Sequence, residues 1–328
     1  MSKRKLWEDA AFIIVILILV LVMIYSGLQI LESTVLYQGT DSGDGFVSRT
    51  ITRDGVDYYP RQDMTVVLVL GIDQYGPVQD SGYYSNTGAA DMAMLLIFDE
   101  TNEHCDVLYL NRDTMLEMPV LGIGGRQAGT YYGQLALSHT YGSGLEDSAE
   151  NSRDTISDFL YGLRIDHYVA MHMDAISILN DAVGGVTVNV TEDFSQVDST
   201  IGMGSVTLLG QQAINFVRTR KDVGDQLNLS RIERQQDYVE SFVDAFRVKQ
   251  EAEGESFILN AYEAVYPYLV TDCSANAISG MINRYGEYAI NEVVTPEGEN
   301  VMGEEYYEFY VDEEALDALI LRLFYAPK

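Results

Sequence analysis

The sequence predicts an α/β protein: an α-β-α layered domain with a central mixed sheet, carried behind one N-terminal transmembrane helix. Three observations predict it. Short apolar runs of strand length, such as residues 65–71 and 92–98, alternate with stretches of helical periodicity. The longest of those stretches, residues 229–249, sets Ile232, Val239, Phe242, Val243 and Phe246 on one side. Residues 10–31 carry no charge at all.

That uncharged run gives a helix of roughly 33 Å at ~1.5 Å per residue, enough to cross a hydrocarbon core of ~30 Å. Lys3, Arg4 and Lys5 precede it and Glu32 follows, so the positive-inside rule puts the bulk of the chain outside the cytoplasm. No small-x-small cleavage site follows Ile24, so the run reads as a retained single-pass anchor. The remainder supports a sizeable core, since 47% of the 328 residues are hydrophobic and 23 are tyrosine. With 20 Lys+Arg against 50 Asp+Glu, the net charge of -30 excludes general nucleic-acid binding, which needs an extended basic face. Cys105 and Cys273 are too few for a disulfide framework; they read as two separate buried residues, or as one pair if the fold brings them close. His104, His139, His167 and His172 show no zinc-type spacing with cysteine or glutamate.

Taken in order, residues 39–45 form a Gly/Ser/Asp spacer, and residues 51–59 a small hairpin turning at Asp54-Gly55. Residues 65–71 are a strand buried on both faces that ends at Asp73; residues 92–98 are a second, preceded by Asp91; residues 106–110 are a third, delivering Arg112 and Asp113. Carboxylates at the ends of central strands occupy the position where α/β proteins tend to place their sites. Residues 122–133 read as a Gly-rich loop without phosphate-loop spacing, and His139 as a structural histidine as readily as a site residue. A helix at 148–161, a strand at 165–171, a helix at 174–182 closed by Gly184-Gly185, and a strand at 186–190 continue the alternation. A short helix at 210–217 leads into the 229–249 helix; two more helices between 257 and 286, two strands and a final helix from Asp312 complete the fold. The chain thus divides into a cytoplasmic tail (1–9), a membrane helix (10–31), a linker with hairpin (32–61), a core (62–250) and a C-terminal segment (251–328).

One stretch departs from the acidic background. Arg218, Arg220, Lys221, Arg231 and Arg234 are five of the 20 cations and fall within residues 218–236. Arg231 and Arg234 are three apart, close together near the start of a helix, where amide donors and the dipole favour an anion. Guanidinium forks match phosphate oxygens in pairs, so this strip reads as an anion site or, more blandly, as a salt-bridged loop.

Several pieces occur together: Leu70-Gly71-Ile72-Asp73, Ala90-Asp91-Met92, Asn111-Arg112-Asp113-Thr114, Asp166-His167-Tyr168-Val169, Leu209-Gly210-Gln211-Gln212-Ala213, Val217-Arg218-Thr219-Arg220 and Arg231-Ile232-Glu233-Arg234-Gln235-Gln236. In that order the sequence resembles the LytR–CpsA–Psr family of membrane-anchored cell-envelope enzymes, over about residues 62–248. The resemblance implies transfer of a glycopolymer from a polyprenyl pyrophosphate carrier to peptidoglycan, with the protein in the cell membrane. It implies Mg²⁺ or Mn²⁺ on Asp73 and Asp91, and pyrophosphate on Arg112, Arg218 and Arg220, with Arg231 and Arg234 adding to that clamp. Asp225 is the implied catalytic or metal-positioning carboxylate, and Asp113 serves chemistry or orients Arg112. It further implies an apolar tunnel for the lipid. Three departures stand against the family pattern: Gln74-Tyr75 and Ala89-Ala90 where arginines are usual, and Asp225 six residues before Arg231 instead of three. They keep two other readings open: a non-catalytic scaffold binding polymer or lipid, and a hydrolase of the same carrier.

Overall fold

The computed structural model describes residues 50–327 except 54, 123, 220–222, 224–227, 274–280, 282–283, 286–287 and 305. Of residues 228–233, 235–236, 239–240, 243, 255 and 258–259 it describes the backbone alone. The expected membrane helix at 10–31 therefore lies outside the described residues, as do Arg220, Asp225 and the side chain of Arg231. Among the described residues no helix is long and apolar enough to cross a membrane. The chain forms two compact units: a sheet unit from Leu36–His172, Val270–Cys273 and Tyr288–Lys328, and a helical unit that includes Met173–Leu269. The core expected over 62–250 is thus divided at Met173.

In the sheet unit, β1 (Ile51–Arg53) and β2 (Val56–Pro60) form the expected hairpin, with Gly55 at φ 78° supplying the turn. An antiparallel meander follows: β3 (Met64–Ile72), β4 (Ala90–Asp99) and β5 (His104–Leu110). Every side chain from Val66 to Leu70 and from Met94 to Phe98 is buried, which is why these runs lack polar alternation. β6 (Met115–Leu121) and β7 (Gln127–Gln134) pair antiparallel. Most of the expected Gly-rich loop at 122–133 is therefore strand, because β6 supplies ladder hydrogen bonds that override glycine's weak strand preference. A 3-10 turn (Leu135–Thr140) leads to α1 (Glu146–Phe159), whose Ala149 and Ile156 pack into the cluster of Leu68, Leu70 and Leu95. β8 (His167–His172) then enters parallel to β3.

The helical unit begins with α2 (Asp174–Ala182), closed as expected by Gly184 and Gly185 at φ 88° and 95°. Their amides bond the carbonyls of Asp181 and Asn180, a left-handed cap. β9 (Val186–Val190) buries every second residue and pairs with β10 (Gly204–Leu208). Next come α3 (Gln211–Arg218), α4 (Asn228–Glu253) and α5 (Glu255–Val265). Tyr238, Phe242 and Phe246, four apart on α4, form an aromatic ladder that Phe257 extends, with ring centroids 6.4, 6.2 and 5.0 Å apart. The second helix expected between 257 and 286 falls largely on residues outside those described.

β11 (Leu269–Thr271) and β12 (Ala289–Val294) complete a six-stranded sheet in the order β11-β8-β3-β4-β5-β12. Parallel pairs β3/β8 and β5/β12 flank the meander, so the sheet is mixed. β13 (Gly298–Met302) and β14 (Tyr307–Val311) form a hairpin. α6 (Glu313–Phe324) is capped by Asp312, which accepts the Ala315 amide at 3.0 Å, and adds Leu316, Ile320 and Phe324 to the core. β15 (Tyr325–Pro327) closes on β2. Cys105 and Cys273 are buried free thiols, as expected, and burial pushes the Cys105 thiol well above its usual range.

Candidate functional site

Antiparallel β4 lies between β3 and β5, so the carboxyl ends of β3 and β5 meet the amino end of β4 at one edge of the sheet. Asp73 follows β3, Asp91 is the second residue of β4, and Arg112 and Asp113 follow β5. The topology therefore gathers four of the expected site residues. The amides of Asp73 and Asp91 donate to the same carbonyl, that of Ala89, at 2.9 and 3.1 Å. Arg112 Nη1 donates to Asp91 Oδ1, and Arg112 Nε lies 3.4 Å from Asp113 Oδ1. Gln134 Nε2 donates to the same Asp113 Oδ1 at 3.0 Å and to the Tyr307 carbonyl at 2.8 Å. Asn111 fixes the turn beneath, its Oδ1 accepting the Asp113 amide at 3.0 Å and its carbonyl accepting Thr114 Oγ1 at 2.7 Å. Arg112 is 41% exposed, so its fork sits between two carboxylates yet is open to an anion from solvent.

The loop between Asp73 and Asp91 is held by residues that sequence reading did not place there. Asn86 Nδ2 donates to the carbonyls of His139 (2.8 Å) and Gly142 (3.0 Å), and its Oδ1 accepts the Gly88 amide at 2.7 Å. His139 and His172 each use Nδ1, on the carbonyls of Gly88 and Gly76 respectively, both at 2.8 Å. A Cβ on Gly88 would meet Gln74 Oε1 at 2.7 Å and Ile72 Cγ2 at 2.8 Å, so this glycine is required by close approach. These partners are about 50 to 100 residues away in sequence, and no local pattern marks them.

Burial lowers the His139 pKa to about 4, so the folded ring stays neutral above that pH. An unfolded histidine takes its proton near pH ~6.5, so between these values the unfolded chain binds more protons. Stability from this group is fully present above pH ~6.5 and falls as pH drops towards about 4, by about 3 kcal/mol in all. His139→Asn, whose amide can donate to the Gly88 carbonyl, is expected to flatten that slope in denaturant titrations across the window. A variant with the wild-type slope assigns the proton to another group.

In the helical unit, Arg218 is exposed at the end of α3. Arg234, expected as a pyrophosphate ligand, is only 5% exposed. Its Nε donates to the Phe216 carbonyl at 3.2 Å, Nη1 to Glu192 and Nη2 to the Thr219 carbonyl, and its guanidinium lies 5.4 Å from the Phe194 ring centroid. Every nitrogen of the fork bonds a protein group, so Arg234 positions the end of α3, in contrast to the exposed Arg112 fork expected for the same role. The same unit has an open groove of about 570 Å³ lined by Val183, Thr187, Asp244, Val248, Lys249 and Glu253.

The family model described as the LytR_cpsA_psr family matches residues 37–323. A polyisoprenyl-teichoic acid–peptidoglycan teichoic acid transferase TagU of Oceanobacillus iheyensis is 27% identical over 266 residues, 78% of this chain and 74% of that protein. The TagU of Enterococcus faecalis is 30% identical over 177 residues, 54% of this chain and 52% of that protein. Against the TagU of Bacillus subtilis identity is 24% over 198 residues, covering 60% and 57%. The chain thus spans between about half and three quarters of the length of these relatives. Among solved structures, B. subtilis TagV aligns over 80% of this chain and 96% of its own, at TM-score 0.56 and 20% identity. A Streptococcus agalactiae protein aligns over 80% and 86% at TM-score 0.60 and 19% identity. TagT bound to LI-WTA aligns over 84% and 95% at TM-score 0.53 and 20% identity. These likenesses establish the fold.

Proposed function

This chain belongs to the LytR–CpsA–Psr family, and from that membership we propose that it is a phosphotransferase moving a glycopolymer from a polyprenyl pyrophosphate carrier to peptidoglycan. One observation carries the reading: a half-exposed Arg112 fork between Asp91 and Asp113 at the sheet end, with Asp73 beside them. The names of the TagU relatives, which join a polyisoprenyl-linked polymer to peptidoglycan, support it. In this proposal residues 10–31 anchor the chain in the cell membrane, with the folded part outside the cytoplasm.

The reaction forms a phosphodiester. An acceptor hydroxyl oxygen attacks the phosphorus that carries the glycopolymer, the bond to polyprenyl phosphate breaks, and the hydroxyl proton leaves to a base. Phosphoryl transfer is mostly positioning and charge neutralisation. Arg112 meets the developing negative charge on the phosphate, Asp113 orients its Nε, and Gln134 holds Asp113. The two carboxylates of Asp73 and Asp91 would hold a hard divalent cation, for which oxygen ligands are suited. Mg²⁺ or Mn²⁺ held there supplies charge neutralisation on the pyrophosphate. Arg218, Arg220 and Arg231 retain the phosphate role that the family resemblance gives them, and Asp225 its catalytic role.

Incubating the full-length protein in detergent with a polyprenyl pyrophosphate-linked saccharide, Mg²⁺ and peptidoglycan tests this. Saccharide covalently attached to peptidoglycan is the expected result. Free phosphate products without attachment point to the hydrolase, and unchanged lipid points to a non-catalytic scaffold. Asp73→Ala is expected to abolish transfer with the fold intact; retained activity removes Asp73 from the metal role.

A further inference from the structure

A second cluster of ligating atoms lies in the sheet unit, apart from the Asp73–Arg112 edge. His167 is the first residue of β8, and Asp272 and Cys273 follow β11, its neighbour in the sheet. Among the described residues this is the one group of three whose His, Cys or carboxylate atoms all lie within 4.8 Å of one another. His167 Nδ1 is 3.6 Å from Asp272 Oδ1, and Cys273 Sγ is 3.8 Å from the same oxygen. A tetrahedral zinc with Zn–N and Zn–O bonds of ~2.0 Å and Zn–S of ~2.3 Å has ligand-to-ligand edges of about 3.3–3.5 Å. The two edges at Asp272 Oδ1 stand only a few tenths of an ångström wider than that, and the third, between His167 and Cys273, lies within 4.8 Å.

Two further features point to a ligand. His167 Nδ1 is buried and makes no hydrogen bond. An ion pair with Asp272 at 3.6 Å is too long to satisfy it, and leaves unexplained why a thiol faces the same point. The ligands are also held in advance. Asp272 Oδ1 accepts the Tyr168 amide at 2.9 Å, Thr271 Oγ1 donates to the Tyr168 carbonyl at 2.7 Å, and the Cys273 amide donates to Thr271 Oγ1 at 3.1 Å. Such outer contacts fix the orientation of metal ligands before the metal arrives.

We propose that His167, Asp272 and Cys273 bind Zn²⁺ or another borderline-soft divalent cation, clipping the start of β8 to the end of β11. Imidazole, thiolate and carboxylate together select zinc-like metals, whereas the carboxylates of Asp73 and Asp91 select Mg²⁺ or Mn²⁺, so the two sites are chemically distinct. His167 and Asp272 are each 27% exposed, which leaves a fourth position for water. The site is independent of the transfer reaction, and its test does not depend on activity.

Titrating Co²⁺ into the metal-stripped full-length protein in detergent reads the site directly, because a cobalt–thiolate bond gives a charge-transfer absorption band. We expect the band to saturate at one equivalent, to disappear in Cys273→Ser, and to need at least about tenfold more cobalt in His167→Ala. It is expected to survive Asp73→Ala. Zn²⁺ is expected to displace the cobalt and to raise the melting temperature of the wild type, but not of Cys273→Ser. No band in the wild type overturns the proposal, even if the variants do not fold. A band that persists in folded Cys273→Ser overturns it as well.

Discussion

Arg112→Ala is expected to lower glycopolymer transfer by about 10²–10³-fold, the usual loss when one preorganised donor to developing charge is removed. Its effect on stability is expected to be small. Arg112 is 41% exposed and Asp91 26%, and an ion pair so open to solvent contributes about 1 kcal/mol or less. Arg112→Lys is expected to recover little, because an ammonium cannot span two phosphate oxygens or contact Asp91 and Asp113 along one plane. Single-turnover transfer assays with thermal melts on the same samples separate the two effects. A lysine variant at the wild-type rate, or an alanine variant that loses activity only through unfolding, would falsify the assignment.

Arg234→Met is expected to have the opposite signature, destabilising the helical unit by about 3–5 kcal/mol. Removing this guanidinium leaves the Glu192 carboxylate, 15% exposed, without its partner, and strips the carbonyls of Phe216 and Thr219 of a charged donor. Breaking one half of a buried pair costs far more than the pair itself contributes. The double variant Arg234→Met/Glu192→Leu is therefore expected to regain most of the loss. Urea denaturation of the single and double variants measures both quantities. A single variant within about 1 kcal/mol of wild type would return Arg234 to the anion site.

The contrast between these two arginines shows how far the sequence could be read. Arg112 follows β5, whose apolar run Val107–Leu110 ends at the polar Asn111, and such a strand can be placed from its residues alone: a buried central strand ends where its polar residues begin. Asp73 and Asp91 were legible on the same ground. Arg234 sits three residues after Arg231, and that spacing says only that both lie near one side of a helix. Whether that side meets water or the core depends on Phe194 and Glu192, some 40 residues earlier, and on the carbonyls of Phe216 and Thr219. The strand at Gln127–Gln134 was hidden for a similar reason, since glycine and polar residues form a strand there because β6 pairs with them.

By itself, then, the sequence determined the mixed α/β class, the strand ends that carry Asp73, Asp91, Arg112 and Asp113, and the family to which the chain belongs. These rest on local properties: hydrophobic periodicity, breaks between apolar and polar runs, and short motifs in order. Only the tertiary structure decided that Arg234 is buried, that Asn86, His139 and His172 hold the loop between Asp73 and Asp91, and that His167 meets Asp272 and Cys273. Those contacts join residues about 15 to 105 apart in the chain. Which of them form is set by strand order and by closure of the core, and no single stretch of sequence contains that information.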